Sequence, residues 1–208
     1  EVGIKAVAVT AGYVCPDPRV EFYRHMDAAN IDLKAFTDEF YNKITLSDLS
    51  TVLETLVYLK HQTDVWFEIT NLLIPGLNDS DAELNEMTSW VVKELGADVP
   101  MHFTAFHPDY KMMDTSPTSP LTLTRAREIA RNNGVRYAYT GNVHDETGGS
   151  TYCHECGGRL IGRDWYELTS WELDEAGACT NCGTVCPGVF EVLPGTWGAK
   201  RAPLRIAS

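Results

Sequence analysis

Two C-x-x-C-G turns in the last third of the sequence could hold a metal ion. They begin at Cys153 and Cys179 and flank a segment in which residues 159–162 and 165–168 predict two short strands. In each turn two thiolates can face one cation while the glycine permits the tight bend, and two turns complete a tetrahedral sulfur site. The pattern predicts a structural Zn²⁺ site in a zinc-ribbon-like module over residues 146–193, with the ligands Cys153, Cys156, Cys179 and Cys182.

Cys186 leaves an alternative open, because the last three cysteines read C-x-x-C-x-x-x-C and such runs can also ligate an iron–sulfur cluster. Zinc bound by the four other cysteines leaves Cys186 as a spare thiol. His154 lies inside the first turn and is expected at the surface rather than as a ligand. A closed four-cysteine site has no open position for water, so the module is expected to be structural or an interaction surface.

Asp32 and Lys34 form an acid and base pair at the end of a short apolar run. Side chains on a strand alternate between its two faces, so these two should point to the same side where the strand meets its loop. A surface ion pair is one interpretation. A Schiff-base lysine is another, although the neighbouring carboxylate would keep the amine charged and unreactive.

The elements around this pair predict an α/β fold. Strands recur near residues 4, 29, 65, 101 and 135, with helical segments between them, which is typical of parallel βαβ units. Ligands of such sheets and barrels bind at the carboxyl ends of the strands. Those ends carry polar groups or glycine: Thr10 and Gly12, Asp32 and Lys34, Thr70 and Asn71, His107, and Asn142.

Several element boundaries follow from local signals. Pro16 to Pro18 predict a loop, and residues 37–43 predict an irregular turn. Ser80 and Glu83 predict a capping box, in which the hydroxyl and the carboxylate satisfy free backbone amides at a helix start. Thr122 or Thr124 is the predicted cap of a later helix.

The charge of the chain disfavours two classes of partner. The 208 residues carry a net charge of −12, which repels phosphate backbones and anionic membranes. No apolar run reaches the roughly 18 residues that a membrane span needs. We therefore expect neither nucleic acid nor membrane as a partner. Cysteines arranged as C-x-x-C pairs rather than as a disulfide framework favour a reducing cytoplasm.

Three phrases, residues 30–36, 68–79 and 102–112, resemble the radical S-adenosylmethionine (SAM) enzymes. The likeness is to the pyruvate formate-lyase activating enzyme group, and within it to the AmmeMemoRadiSam system proteins. The resemblance implies the later part of a partial parallel α/β barrel over residues 1–145, lacking the first strands, then the module and a loosely ordered tail over 194–208. It also implies that SAM is contacted by Asp32, Leu33, Lys34 and His107.

Enzymes of this group use a [4Fe–4S] cluster to cleave SAM to a 5′-deoxyadenosyl radical. The family's C-x-x-x-C-x-x-C cluster loop and its glycine-rich strand end are not in this sequence. We therefore expect the cluster ligands upstream and expect no radical from this chain alone. The implied partners are a protein or small-molecule substrate and a reductant such as flavodoxin or ferredoxin. The alternative is a zinc-ribbon scaffold protein without catalysis.

Overall fold

The computed structural model describes residues 4–191 and residue 194, which form two compact units divided between Val143 and His144. Apart from residue 194, the predicted tail lies outside the described residues. Within them, no helix has both the length and the apolar character that crossing a membrane requires.

The first unit is a five-stranded parallel sheet in the order β1-β2-β3-β4-β5, with helices in the connections. The α/β prediction with a parallel sheet is confirmed. The strands are β1 (Val7–Thr10), β2 (Ala28–Asp32), β3 (Trp66–Leu73), β4 (Met101–Ala105) and β5 (Ala138–Gly141). The helices are α1 (Pro16–Tyr23), α2 (Asp38–Phe40), α3 (Leu49–Gln62), α4 (Asp81–Leu95) and α5 (Pro120–Asn132), with a π-helical turn at Tyr41–Thr45 and a 3₁₀ turn at Tyr110–Met112.

The second unit contains a short helix and an antiparallel sheet. The helix is α6 (Glu146–Gly149), and the strands are β6 (Thr151–Tyr152), β7 (Arg159–Asp164) and β8 (Glu167–Trp171). The strands are ordered β6-β7-β8, and the two predicted ribbon strands correspond to β7 and β8.

The two faces of the parallel sheet differ in polarity. One face carries apolar side chains such as Ile31, Ile69 and Phe103, which share a hydrophobic core with α3, α4 and α5. Strands buried on both faces read as continuous apolar runs, whereas β2, β3 and β4 alternate between buried and half-buried residues. The half-buried side, here called the polar face, carries Asn30, Asp32, Glu68, Thr70, His102 and Tyr139.

Three predicted boundaries need correction. Pro16 to Pro18 do not form a loop but the first turn of α1, where a missing N–H costs no helical hydrogen bond. Residues 37–43 are not an irregular turn, because the Thr37 side chain accepts a hydrogen bond from the Phe40 N–H and caps α2. Ser119 caps α5, rather than Thr122 or Thr124, because Pro120 pre-sets the helical backbone at the first position.

Gly12, just after β1, gives a stability prediction. Its φ of +67° suits glycine, and an added Cβ would lie 2.8 Å from Cγ2 of the fully buried Ile31. Gly12→Ala should lower the free energy of unfolding by about 2–4 kcal/mol, because backbone strain and overpacking combine. Gly76→Ala is the matched control, because its φ is +77° but no atom lies within 4 Å of the added Cβ.

Gly76→Ala should cost only the backbone strain, about 1 kcal/mol. Urea denaturation of both variants measures the difference. Equal losses in the two variants would show that Ile31 does not crowd position 12.

Candidate functional site

The Asp32 and Lys34 side chains meet at the carboxyl end of β2, as their two-residue spacing predicts. Lys34 Nζ donates to Asp32 Oδ2 over 2.8 Å. The two side chains are 34% and 30% exposed, so the pair is neither a free surface ion pair nor a buried one. Next to it on the polar face, the Thr70 hydroxyl donates to Asn30 Oδ1 over 2.9 Å. The edge therefore offers a carboxylate, an ammonium and a hydroxyl to a ligand.

Two side-chain amides hold the backbone that carries this pair. Asn71 Nδ2 donates to the carbonyl oxygens of Leu33 and Lys34 over 2.8 and 3.1 Å. Asn78 Nδ2 donates to the Lys34 carbonyl as well, and also to the Leu72 carbonyl over 2.9 Å. The Leu33 side chain is fully buried in the core, so any contact that Leu33 makes with a ligand at this edge is through its backbone.

Two further side chains fix the same segment from other elements. The Lys34 N–H donates to the Tyr41 hydroxyl over 3.1 Å, and the Phe36 N–H donates to Glu83 Oε1 over 2.6 Å. Burial raises the pKa of Tyr41 to about 12. Burial also raises the pKa of Glu83, while the Phe36 N–H opposes that rise. We call these four side chains the clamp: Tyr41, Asn71, Asn78 and Glu83.

The clamp corrects two sequence expectations. Ser80 accepts a hydrogen bond from the Glu83 N–H over 3.3 Å, as a capping box requires, but the Glu83 carboxylate bonds to Phe36 instead of returning to Ser80. Asn71 was expected at the ligand edge beside Thr70, yet it lies on the opposite, buried face and is 1% exposed. Its Oδ1 atom has no partner among the described residues.

The side chains at two other predicted strand ends, His107 and Asn142, contact other partners than Asp32 and Lys34. His107 follows β4, is 81% exposed, and pairs with Asp109 at 3.5 Å. Asn142 follows β5 and donates to the Ala105 carbonyl over 3.2 Å. The structure shows no contact that joins His107 to Asp32 or Lys34 within residues 4–191. A role for His107 in ligand binding stays a prediction.

Sequence reasoning missed a row of side chains across the polar face. The register places Asp32 opposite Thr70, Thr70 opposite His102, and His102 opposite Tyr139, on four neighbouring strands. His102 Nε2 lies 2.6 Å from Glu68 Oε2, and its ring stacks on Tyr139 with centroids 4.9 Å apart. The detectable signal was the polar residue at every second position of β2, β3 and β4.

The second unit brings the four predicted cysteines together. Their sulfur atoms all lie within 4.8 Å of one another, with Cys153 3.6 Å from Cys182 and Cys156 3.8 Å from Cys179. Four sulfurs at about 2.3 Å from a central ion in a tetrahedron are about 3.8 Å apart. Gly157 and Gly183 adopt φ values of +71° and +75° directly after the two C-x-x-C turns, as the predicted bends require. This group could hold one metal ion.

The thiols of this group differ in environment. A hydrogen bond with the Asn181 side chain lowers the pKa of Cys156 to about 6, and one with Thr184 lowers the pKa of Cys182. Burial raises the pKa of Cys153 to about 11. A bound cation would favour the thiolate at every position. Cys186 is buried outside this group. His154 is also outside it, but its side chain is only 13% exposed, so the expected surface position is wrong.

Comparison with known proteins gives one sequence relative and a set of structural neighbours. No family model matches the chain. The uncharacterized protein MJ0808 of Methanocaldococcus jannaschii is 40% identical over 184 residues, which are 88% of this chain and 54% of that protein. The chain therefore spans about half the length of this relative.

Two solved structures share the fold. A domain of pyruvate-formate lyase-activating enzyme from Bacteroides vulgatus has a TM-score of 0.58 at 16% identity, over 67% of this chain and 83% of the other. A radical SAM methyltransferase from Sphaerobacter thermophilus has a TM-score of 0.53 at 16% identity, over 64% of this chain and 39% of the other. The chain thus shares an α/β fold with these two proteins over about two thirds of its length.

Asn78 provides a test of the clamp. Its buried amide bonds to the Lys34 and Leu72 carbonyls and accepts from the Ile74 N–H over 2.7 Å. Asn78→Ala should lower the free energy of unfolding by about 2–4 kcal/mol, because buried backbone groups lose their partner. The control is Asn132→Ala at an exposed position, which should change it by less than about 0.5 kcal/mol. Urea denaturation measures both, and a neutral Asn78→Ala would contradict the clamp.

The cysteine group gives a metal-content prediction. The purified protein should contain about one metal ion per chain at this site, and Cys156→Ser should lose most of it because one of four thiolates is gone. Cys15→Ser, at an exposed position outside the group, should retain the ion. Inductively coupled plasma mass spectrometry gives the content. Full metal content in Cys156→Ser would exclude this group as the site.

Proposed function

We propose that this chain is the SAM-binding part of a radical SAM enzyme of the activating-enzyme type, within the AmmeMemoRadiSam group. The observation that carries the proposal is the Asp32–Lys34 pair, with its 2.8 Å contact at the carboxyl end of a central parallel strand. The fold shared with radical SAM proteins supports the assignment. Ligands of parallel α/β sheets bind at this end of the strands.

The chemistry of the donor set fits SAM. Its methionine moiety carries an amino group and a carboxylate, and its ribose carries hydroxyls. The Asp32 carboxylate can accept hydrogen bonds from the amino group or the hydroxyls, and the Lys34 ammonium can meet the carboxylate. The exposed His107 ring can stack or hydrogen-bond beside the adenine. The clamp helps to orient Lys34 by holding the backbone of residues 33–36.

A [4Fe–4S] cluster supplies the electron for reductive cleavage of SAM in such enzymes. Cluster binding takes several thiolates, and Cys15 is the one cysteine of this sequence outside its last third. Residues 1–143 therefore do not supply the thiolates that this cluster needs, and we propose that its ligands lie in a further part of a longer protein. The greater length of the Methanocaldococcus relative supports this proposal.

We propose that the four cysteines hold structural Zn²⁺. Sulfur separations of 3.6 and 3.8 Å suit one central ion, whereas a cluster would place an inorganic core between the thiolates and push them farther apart. A closed four-thiolate site leaves no position for a reacting group, which favours a structural or interaction role for this module. Reduced thiols suit the cytoplasm. The reductant would be a protein such as flavodoxin or ferredoxin, and the substrate a protein or a small molecule.

Charge-removing substitutions test the binding site. Asp32→Asn and Lys34→Met in the full-length protein should each weaken SAM binding about 10- to 100-fold, because a charge-assisted hydrogen bond contributes about 1.5–3 kcal/mol. Lys43→Met is the control, because Lys43 forms a similar 2.7 Å ion pair with Glu39 on an exposed helix surface. Isothermal titration calorimetry with SAM gives the affinities. Unchanged affinity in both site variants would contradict the assignment.

The activity itself is tested by anaerobic reduction of the full-length protein in the presence of SAM. The expected product is 5′-deoxyadenosine, measured by liquid chromatography. A protein with a spectroscopically verified cluster that forms none would overturn the proposed enzyme class.

A further inference from the structure

We propose that Glu68 and His102 form an acid–base site on the polar face, in which His102 Nδ1 takes a proton from an N–H or O–H group of the substrate. The inference rests on the proposed function, because it places the substrate of that enzyme beside the SAM site. Its own observations are the contacts and the exposure of these two side chains.

The pair is short and only partly exposed. His102 Nε2 lies 2.6 Å from Glu68 Oε2, and the two side chains are 29% and 36% exposed. His102 lies on β4 opposite Thr70 of β3, and Glu68 lies two residues before Thr70 on the same face of β3. Two more exposed histidine pairs differ from it, because His25 with Glu21 and His107 with Asp109 join side chains at least 62% exposed, at 3.2 and 3.5 Å.

The carboxylate determines which ring nitrogen is free to react. Glu68 accepts a hydrogen bond from the Nε2–H of His102, so the neutral ring carries its lone pair on Nδ1. Nδ1 has no hydrogen-bond partner among the described residues. The His102 side chain is 29% exposed, which gives a ligand access to its ring.

Neighbouring rings hold both partners in position. The His102 ring stacks on Tyr139 at an interplanar angle of 20°. The Trp66 Nε1–H donates to the second carboxylate oxygen of Glu68 over 3.4 Å. An imidazole oriented by a carboxylate on one nitrogen and open on the other is the arrangement of a general base.

The proton transfer that this arrangement supports is balanced. The X–H bond of the substrate breaks, X keeps the electron pair, and the proton forms a bond to Nδ1. The resulting imidazolium charge is offset by the Glu68 carboxylate. His102 is then a catalytic residue that touches substrate, and Glu68 is a positioning residue that acts through it.

The site adjoins the predicted SAM position. Asp32 and His102 occupy the same row across the sheet, with Thr70 between them. Two strand spacings separate them, which is about 10 Å. A molecule bound at Asp32 and one bound at His102 would therefore be neighbours. The substrate class that fits is a polar molecule whose hydroxyl, amide or ammonium group donates to Nδ1.

Carbethoxylation by diethyl pyrocarbonate tests the site, because the reagent modifies accessible, unprotonated imidazole. The full-length protein is treated at about pH 7, and peptides containing His102 are quantified by mass spectrometry. Among the described residues, Glu68 and Tyr139 contact the His102 ring, and Asp32 and Lys34 lie two strands away. His25, which is exposed and outside the site, is the internal reference.

In the wild type His102 should react in the folded protein. In Glu68→Gln, which keeps a hydrogen-bond acceptor but removes the charge, the rate of His102 modification should fall severalfold relative to that of His25, because the carboxylate no longer fixes the ring in the tautomer whose lone pair lies on Nδ1. Failure of His102 to react in the folded wild type, or an unchanged His102 rate in folded Glu68→Gln, would overturn the proposal. The wild-type result decides it even where the variant does not fold.

The assay contains no SAM, so its result is separate from the proposed enzyme class. A slower His102 reaction in Glu68→Gln, in a protein that forms no 5′-deoxyadenosine, would uphold the acid–base site and exclude the radical enzyme. An unchanged His102 rate in a protein that forms 5′-deoxyadenosine would do the reverse.

Discussion

The carbonyl groups just beyond β2 impose the constraint on which the ligand edge depends. There the chain leaves the sheet, and the carbonyls of Leu33 and Lys34 accept hydrogen bonds from side-chain amides instead of from a strand. A buried carbonyl without a partner costs about 1–3 kcal/mol. The two amides come from 37 and 44 residues farther along the chain, so they reach Lys34 only when β2 and β3 are in register. The edge therefore forms together with the sheet.

Different side chains at this edge bind the backbone and face a possible ligand, which explains the composition of the edge. Asn71 and Asn78 are buried and bind backbone, whereas Asp32 and Lys34 project from that backbone and remain partly exposed. Glu83 shows that the arrangement has a cost, because burial raises the pKa of its carboxyl group while it accepts the Phe36 N–H. The polar residues around Asp32, Leu33 and Lys34 thus serve two purposes, and only the partly exposed Asp32–Lys34 pair is suited to a ligand.

The sequence predicted what depends on local pattern. The two-residue spacing predicted the meeting of Asp32 and Lys34, and the two C-x-x-C-G turns predicted the sulfur group. It could not predict contacts that depend on register or on a choice between partners. Glu83 matched a capping box, yet its carboxylate found Phe36, and the Glu68–His102 contact joins residues 34 positions apart on two strands. The predicted position of Asn71 was wrong because it was based on the polarity of the residue alone. The alternation of side chains along β3 assigns Asn71 to the buried face.

The Asp32–Lys34 pair and the Glu68–His102 pair are suited to different tasks. The Asp32–Lys34 pair joins side chains about one third exposed, and such pairs contribute about 0–1 kcal/mol, so a zwitterionic ligand can replace each partner with little loss. Glu68–His102 is shorter, its second carboxylate oxygen is bound by Trp66, and its ring is stacked on Tyr139. Replacing that pair would break several contacts at once. The first pair is therefore suited to exchange with a ligand, and the second to keeping its geometry while a proton moves.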